Sequence, residues 1–139
     1  SYIGATPFIF NTTMRKNILY GNSVEINESE IIDLLKEFNL FNESIGYDLD
    51  RIIDNKSLSS GQMQKIGFIR ALLIRPEILL LDESMANLDD ASKNLIMSII
   101  SEQNITLINS THDPELYKNV DSIIEIKIVD EKRVLKVTK

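Results

Sequence analysis

The stretch "EILLLDES", residues 77–84, decides the fold class. It holds an uninterrupted apolar run from Ile78 to Leu81, which has the length of one strand and ends at two carboxylates, Asp82 and Glu83. A short continuous apolar run is typical of a parallel strand that is buried on both faces. We therefore predict such a strand, with an acidic pair at the sheet edge where open α/β folds bind ligands.

Helical patterns flank this strand on both sides. Upstream, residues 58–73 carry an apolar stripe at helical spacing and end before Pro76. That stripe consists of Ile66, Ile69, Leu72 and Leu73. Downstream, "DDASKNLIMSIISEQ" (89–103) is amphipathic, and "ITLINST" (105–111) predicts a second buried strand. Alternating strands and helices predict an α/β domain with a parallel sheet.

The two ends of the chain add shorter elements. "SYIGA" predicts the end of a strand, and the next two helices are predicted near 13–20, capped within 11–13, and near 27–41. Residues 42–57 are polar and predict a long connector. A short helical turn is expected after Pro114, and the tail predicts an antiparallel hairpin that turns near Asp130.

Composition narrows the function classes. The 139-residue chain suits one domain, and its net charge is −6 with scattered basic residues, which argues against nucleic acid as a partner. Without cysteine it has neither disulfides nor thiolate metal ligands, which fits a reducing compartment. No apolar run approaches the roughly 20 residues that a membrane-spanning helix needs.

The stretch "LSSGQ", residues 58–62, lies at the predicted start of a helix. Unpaired N–H groups and the positive end of the helix dipole favour an anion there, and the small residues Ser59, Ser60 and Gly61 let a phosphate approach closely. The alternative is that the stretch is an ordinary helix N-cap.

The acidic residues after the central strand suit metal and phosphate chemistry. Of Asp82 and Glu83, one carboxylate can hold Mg²⁺ through water, and the other can polarise an attacking water. Both residues could instead cap the next element. Asp89, in "MANLDD", has the same two interpretations, since it precedes a predicted helix.

The only histidine, His112, follows the second predicted strand. Because parallel strands end at one edge, we expect it on the same sheet edge as Glu83, where it could donate to a terminal phosphate. The alternative is an ordinary surface or turn histidine.

In this order, the motifs resemble those of the ATP-binding cassette family. "LSSGQ" is similar to the family signature, with Ser60 where glycine is usual, and "ILLLDE" to the Walker B strand. "ANLD" resembles the D-loop, and "STHDP" the switch-histidine region. "TPFIFNTTMRKNI" resembles the segment after the Q-loop in exporters. The resemblance covers nearly the whole chain.

The resemblance implies a role for each residue. Glu83 would activate the hydrolytic water, Asp82 would hold Mg²⁺, and His112 would contact the γ-phosphate of ATP. The remaining nucleotide-binding residues would be Ser59, Ser60, Gly61, Gln62 and Asp89, with the signature facing ATP bound to a second nucleotide-binding domain. The partners implied are that second domain and a transmembrane domain, at the cytoplasmic face of the cell membrane.

The implied fold is a partial P-loop NTPase fold: a parallel sheet core, a helical signature subdomain at about 12–75, the Walker B, D-loop and H-loop part at 76–139, and a C-terminal β-hairpin. No GxxxxGK[ST] phosphate loop occurs in the sequence. We expect that loop upstream of Ser1, so that the 139 residues alone hydrolyse negligible ATP. We also expect an unpaired edge beside the strand ending near Ser110.

Two departures from the family pattern leave other functions open. Ala5 stands where the Q-loop glutamine is expected, and Ile53 where exporters carry a glutamate. One alternative is a chromosome-maintenance or DNA-repair ATPase, against which the exporter-like segment and the lack of heptads and basic surface both argue. The other is a non-catalytic regulatory module, for which Ala5 is the best support.

Overall fold

The computed structural model describes residues 1–22, 25–41, 46–113, 116, 120–129 and 132–138. The strands are β1 Tyr2–Ile3, β2 Thr12–Thr13, β3 Ile52–Ile53, β4 Ile78–Asp82, β5 Thr106–Ser110, β6 Ile123–Val129 and β7 Lys132–Thr138. The helices are α1 Met14–Ile18, α2 Glu28–Glu37, α3 Ser60–Leu73 and α4 Asp90–Glu102.

The central sheet has three parallel strands in the order β1-β4-β5. Its register pairs Leu80 of β4 with Tyr2 on one side and Ile108 on the other, and it aligns the strand ends Asp82 and Ser110. α4 connects β4 to β5, as the predicted alternation of strand and helix requires. The α/β class is therefore confirmed.

The tail forms the expected antiparallel hairpin, β6–β7, in which Ile126 pairs with Leu135. Both strands are exposed along their whole length. The predicted turn at Asp130 and the helical turn after Pro114 fall outside the described residues.

The prediction that both core strands are buried on two faces is wrong. Leu79 and Leu81 of β4 are fully buried, whereas Ile78 and Leu80 are 51% and 40% exposed. β5 alternates between exposed and half-buried residues. The hydrophobic core lies on one face only of the described sheet, with Ile66, Phe68 and Ile69 of α3 and Ile96 of α4 among its members. An apolar run shows that a strand can be buried but does not show which layers cover it.

The sheet also has the expected open edge. Within the described part of the chain, β5 pairs with β4 and with no other strand. The hairpin β6–β7 forms a separate sheet.

Hydrogen bonds of Asn17 and Arg70 connect α3 to the N-terminal segment. The Asn17 side chain is fully buried; its Oδ1 accepts from Phe10 N at 2.9 Å, and its Nδ2 donates to Phe10 O at 2.9 Å. Arg70 donates to the backbone and side-chain oxygens of Asn17 and to Phe8 O. Burial lowers the pKa of the Arg70 guanidinium. This network sets the path of the chain between Pro7 and α1.

A two-stranded antiparallel ribbon, absent from the prediction, joins the predicted connector to the start of α1. Thr12 pairs with Ile53, and Met14 N donates to Arg51 O at 2.8 Å. Strands of two residues have no periodicity for a sequence pattern to reveal. The region predicted as a helical subdomain, about 12–75, thus contains α1, α2, α3 and this ribbon. In the described part of the chain, no helix combines the length and apolar character needed to cross a membrane.

Candidate functional site

Glu83 and His112 meet at the C-terminal edge of the parallel sheet. Glu83 directly follows β4, and its N–H donates to Ser110 O, the last residue of β5, at 2.9 Å. His112 lies two residues beyond that strand end, and its Nδ1 lies 2.8 Å from Glu83 Oε2. The expected proximity of the two side chains is confirmed. The hydrogen bond to the Glu83 carboxylate raises the pKa of His112.

Glu83 has a left-handed backbone, with φ +50°. A residue with a Cβ pays roughly 1–2 kcal/mol for this conformation, so the surrounding turn must enforce it. Strain of this kind clusters at functional sites. The left-handed turn at Glu83 ends β4, and the Glu83 carboxylate contacts the His112 ring beyond the strand.

A cavity of about 320 Å³ opens beside the pair. Glu83 and His112 line it together with Lys93 of α4 and Asp113. Lys93 Nζ lies 3.0 Å from Asp113 Oδ2. The cavity is therefore lined by the Glu83–His112 contact and the Lys93–Asp113 ion pair, and it has space for a small polar group such as a phosphate.

Asp82 offers one exposed carboxylate beside this site. Its Oδ2 accepts from the Tyr2 hydroxyl at 3.3 Å. No cluster of three or more histidine, aspartate or glutamate side chains in the described residues could hold a metal by itself. A single carboxylate fits Mg²⁺, which keeps several waters and takes its other ligands from substrate phosphates. Asp82 is thus the residue that would hold the ion.

The stretch 58–62 forms the exposed mouth of α3, as predicted. Leu58 is buried, but Ser59 and Ser60 are exposed and the next two residues are half-buried. Ser59 is the N-cap: its Oγ accepts from Gln62 N at 3.2 Å, while Gln62 Oε1 accepts from Ser59 N at 2.9 Å. Both interpretations of the stretch are therefore compatible, because the capping box satisfies two donors and leaves Ser60 at the surface.

The helix mouth packs against the loop that precedes α4. A Cβ on Gly61 would lie 3.1 Å from Asn87 O, so only glycine allows this approach without a shift. Lys65 Nζ lies 3.8 Å from Asp89 Oδ2. The residues at the start of α3 and those of the loop before α4 are therefore in contact. That loop follows Glu83 directly in the sequence.

Asp89 is used as a cap. Its Oδ1 accepts from Ser92 N at 2.8 Å and its Oδ2 from Ser92 Oγ at 2.9 Å. The hydrogen bond from the Ser92 backbone lowers the pKa of Asp89. The structure thus shows the capping alternative at Asp89, and a contact with nucleotide would be additional.

Ala5 is exposed and lies near the start of the loop that follows β1. The buried Gln64 of α3 donates its amide to Ala5 O. The backbone at the Q-loop position is therefore tied to the signature helix even though Ala5 has no amide side chain to contribute.

Three residues near the site, Lys93, Asp113 and Tyr2, are absent from the sequence-based prediction. Weak signals pointed to two of them: Asp113 directly follows His112, and Lys93 comes one helical turn after the cap Asp89. Neither pattern is specific without the fold.

Comparison with known proteins identifies the family. A family model described as ABC transporter matches residues 1–86, more than half of the chain. The chain belongs to the ABC transporter family. The resemblance drawn from the motifs is confirmed.

Several members of the family are similar over most of this chain. The alpha-factor-transporting ATPase of Saccharomyces cerevisiae is 36% identical over 131 residues, 91% of this chain and 10% of that protein. The glutathione/L-cysteine transport system ATP-binding/permease protein CydD of Haemophilus influenzae is 33% identical over 129 residues, 88% of this chain and 22% of that protein. The chain thus spans between a tenth and a quarter of these two relatives.

A solved structure confirms the fold. A bacterial Atm1-family ABC exporter with ATP bound matches with a TM-score of 0.76 and 24% identity, covering 89% of this chain and 23% of that one. The partial ABC fold, with its parallel sheet and C-terminal hairpin, agrees with the predicted architecture.

Proposed function

We propose that this chain is the later part of the ATP-hydrolysing domain of an ABC exporter. The observation that carries the proposal is the 2.8 Å contact between Glu83 and His112 at the ligand-binding edge of a parallel sheet. An acid and a titratable donor, fixed together beside a cavity, suit hydrolysis of a terminal phosphate. Similarity to an alpha-factor-transporting ATPase and an ATP-binding/permease protein supports the same class.

Each strand-edge residue has a distinct part in this mechanism. Glu83 orients the attacking water and accepts its proton, while His112 donates to the γ-phosphate of ATP. Asp82 holds Mg²⁺, which when bound neutralises charge on the phosphates. The left-handed turn at Glu83 keeps the carboxylate at the sheet edge, so little reorganisation is needed when the substrate binds.

The mouth of α3 serves a different ATP molecule. Ser59, Ser60, Gly61 and Gln62 lie at the surface, where backbone N–H groups favour an anion, and we propose that they face ATP bound to a second nucleotide-binding domain. Asp89 would add a contact from the neighbouring loop. In this arrangement ATP holds two domains together.

The second partner is a transmembrane domain, which places the chain at the cytoplasmic face of a membrane. Phe8 and Tyr20 are 63% and 58% exposed, and both rings contact the Phe10 ring, that of Phe8 edge-to-face and that of Tyr20 tilted. This aromatic cluster follows Ala5 and offers an apolar surface of the kind that partners cover.

One observation favours a second candidate, a non-catalytic regulatory module. Ala5 provides no side-chain amide at the Q-loop position, where the family resemblance implies a ligand for metal and water. Such a module would bind ATP and dimerise without turnover.

The experiment that decides between them uses the longer protein that contains this chain. Replacing Glu83→Gln should abolish ATP hydrolysis and leave an ATP-bound dimer that size-exclusion chromatography detects. The matched control is Glu77→Gln, an exposed residue at the opposite end of β4, which should hydrolyse ATP normally. Unchanged hydrolysis in Glu83→Gln would show that Glu83 does not activate the water.

The 139 residues alone should hydrolyse negligible ATP, because their sequence has no phosphate loop.

A further inference from the structure

We propose that Lys93 and Asp113 are positioning residues that hold His112 against Glu83. The inference rests on the proposed function, since it concerns the orientation of the histidine in that reaction. Neither residue contacts the reacting atoms in this proposal. Both act through the segment that carries His112.

The His112 ring needs such support because packing contributes little to its orientation. Its side chain is 84% exposed, although its Nδ1 lies 2.8 Å from Glu83. Because little packs against the ring, its distance from Glu83 depends on a constraint that holds the His112 backbone in place. The residues on either side of His112 provide that constraint: Asp113 N donates to Thr111 Oγ1 at 3.1 Å.

The Lys93–Asp113 ion pair connects this turn to α4. Its atoms are 3.0 Å apart, and the two side chains are only 19% and 32% exposed. Partial burial makes such a pair more effective than the fully exposed pairs, which solvent screens. Lys93 Nζ also lies 3.9 Å from Asp90 Oδ1.

The other member of the ion pair, Lys93, lies on a capped helix turn. α4 begins at the Asp89 cap, whose carboxylate takes two hydrogen bonds from Ser92, and Lys93 is the next residue. Lys93 therefore lies in the first turn of the helix, which the Asp89 cap holds in place. A misplacement of about 1 Å at a reacting group can cost about 100-fold in rate, so loss of this link should affect turnover far more than ATP binding.

The test is a charge exchange in the longer protein that contains this chain. Lys93→Asp and Asp113→Lys should each lower kcat for ATP hydrolysis at least tenfold, with KM for ATP changed less than threefold. The double exchange restores an attractive pair across the same gap and should return kcat to within threefold of wild type. Partial recovery is expected because Asp90 would then lie near a new aspartate.

The matched control is the more exposed pair Arg75–Glu30, whose atoms are 2.9 Å apart and which joins α2 to the segment after α3. Exchanging those charges should leave kcat unchanged. The proposal is overturned if the single exchanges at 93 and 113 keep wild-type kcat. It is also overturned if the double exchange stays as slow as the singles while its melting temperature equals that of wild type.

A second readout is independent of hydrolysis. Diethyl pyrocarbonate modifies histidine, and peptide mass spectrometry follows the rate at His112 in the same proteins. Each single exchange should speed modification at least threefold, and the double exchange should reverse this. If the wild type hydrolyses no ATP, the proposed function fails, yet the labelling still decides the positioning role: equal rates in all variants would refute it.

Discussion

Glu83 and His112 lie 29 positions apart in the sequence, yet their side chains meet at 2.8 Å because β4 and β5 end in register. Asp82 pairs with Ser110, so the residues just beyond each strand end leave the sheet side by side. The parallel register brings the two segments together at one edge of the sheet. The left-handed turn at Glu83 and the turn that carries His112 then decide which side chains meet.

The first prediction concerns the pKa of His112. Its hydrogen bond to Glu83 raises this pKa above the ordinary value of 6.5, so Glu83→Ala should lower it. The 139-residue chain has one histidine, and its ring gives a single NMR titration curve. Replacing the exposed Glu77→Ala, at the other end of β4, should leave the curve in place.

The raised pKa also sets the sign of a stability effect. A folded-state pKa above the unfolded one means that the contact stabilises the chain most below about pH 6.5 and that this contribution disappears as the pH rises through the folded pKa. Chemical denaturation at pH 5.5 and pH 8.5 measures it. The difference between wild type and Glu83→Ala should be larger at pH 5.5, and an equal or smaller difference there would contradict the prediction.

The second prediction concerns the backbone of Glu83. Because its φ is +50°, glycine at this position removes strain that alanine keeps. Glu83→Gly should therefore unfold with a free energy about 1 kcal/mol greater than Glu83→Ala. Thermal or urea denaturation of the two variants measures the difference.

The control for this comparison is Asn94, an exposed residue inside α4. There the order should reverse, with alanine more stabilising than glycine by about 1 kcal/mol. The same order at both positions would show that the Glu83 backbone is not strained.

The sequence predicted the parts of this fold that carry long patterns. α3, α4 and the two longer core strands appear where periodicity placed them, and the strand-edge pair follows from one rule about parallel sheets. By contrast, β2 and β3 have two residues each, too few for any period to show. Short elements are specified by tertiary pairing.

Burial and capping could not be predicted in the same way. The run Ile78–Leu81 looked buried on both faces, but its alternate residues are exposed because one layer of helices covers the described sheet. Asp89 carries a carboxylate suited to either a cap or a ligand, and only the Ser92 contacts show the cap. The Lys93–Asp113 pair joins a helix to a loop 20 positions away, which no local pattern encodes.

The third prediction concerns Asn17, which joins the N-terminal segment to α3. Its fully buried amide bonds Phe10 N and O, and its oxygens accept from Arg70. Asn17→Ala would leave the Phe10 N–H and C=O without their buried partner and would remove the Arg70 bond to the Asn17 side chain, which should cost about 2–4 kcal/mol of unfolding free energy. The Arg70 bonds to the backbone oxygens of Asn17 and Phe8 would remain. Urea denaturation measures the loss. Asn11→Ala, at an exposed position nearby, should change stability by less than about 0.5 kcal/mol.

The last prediction is that the 139-residue chain self-associates through its hairpin. One face of β6–β7 carries Arg133 at one end and otherwise five apolar side chains that are 63–77% exposed: Ile124, Ile126, Ile128, Leu135 and Val137. Exposed apolar strands favour pairing with another copy. The mean mass in sedimentation equilibrium should therefore rise with protein concentration.

Replacing the cross-strand pair Ile126→Lys and Leu135→Glu should reduce this association at least tenfold, because the variant keeps a favourable pair across the strands but charges the apolar face. The matched control changes the opposite face at the neighbouring pair, Glu125→Gln with Lys136→Gln, and should associate as wild type does. Association that persists unchanged in the first variant would place the contact elsewhere. The open edge of β5, which has one strand partner among the described residues, would then be the next surface to block.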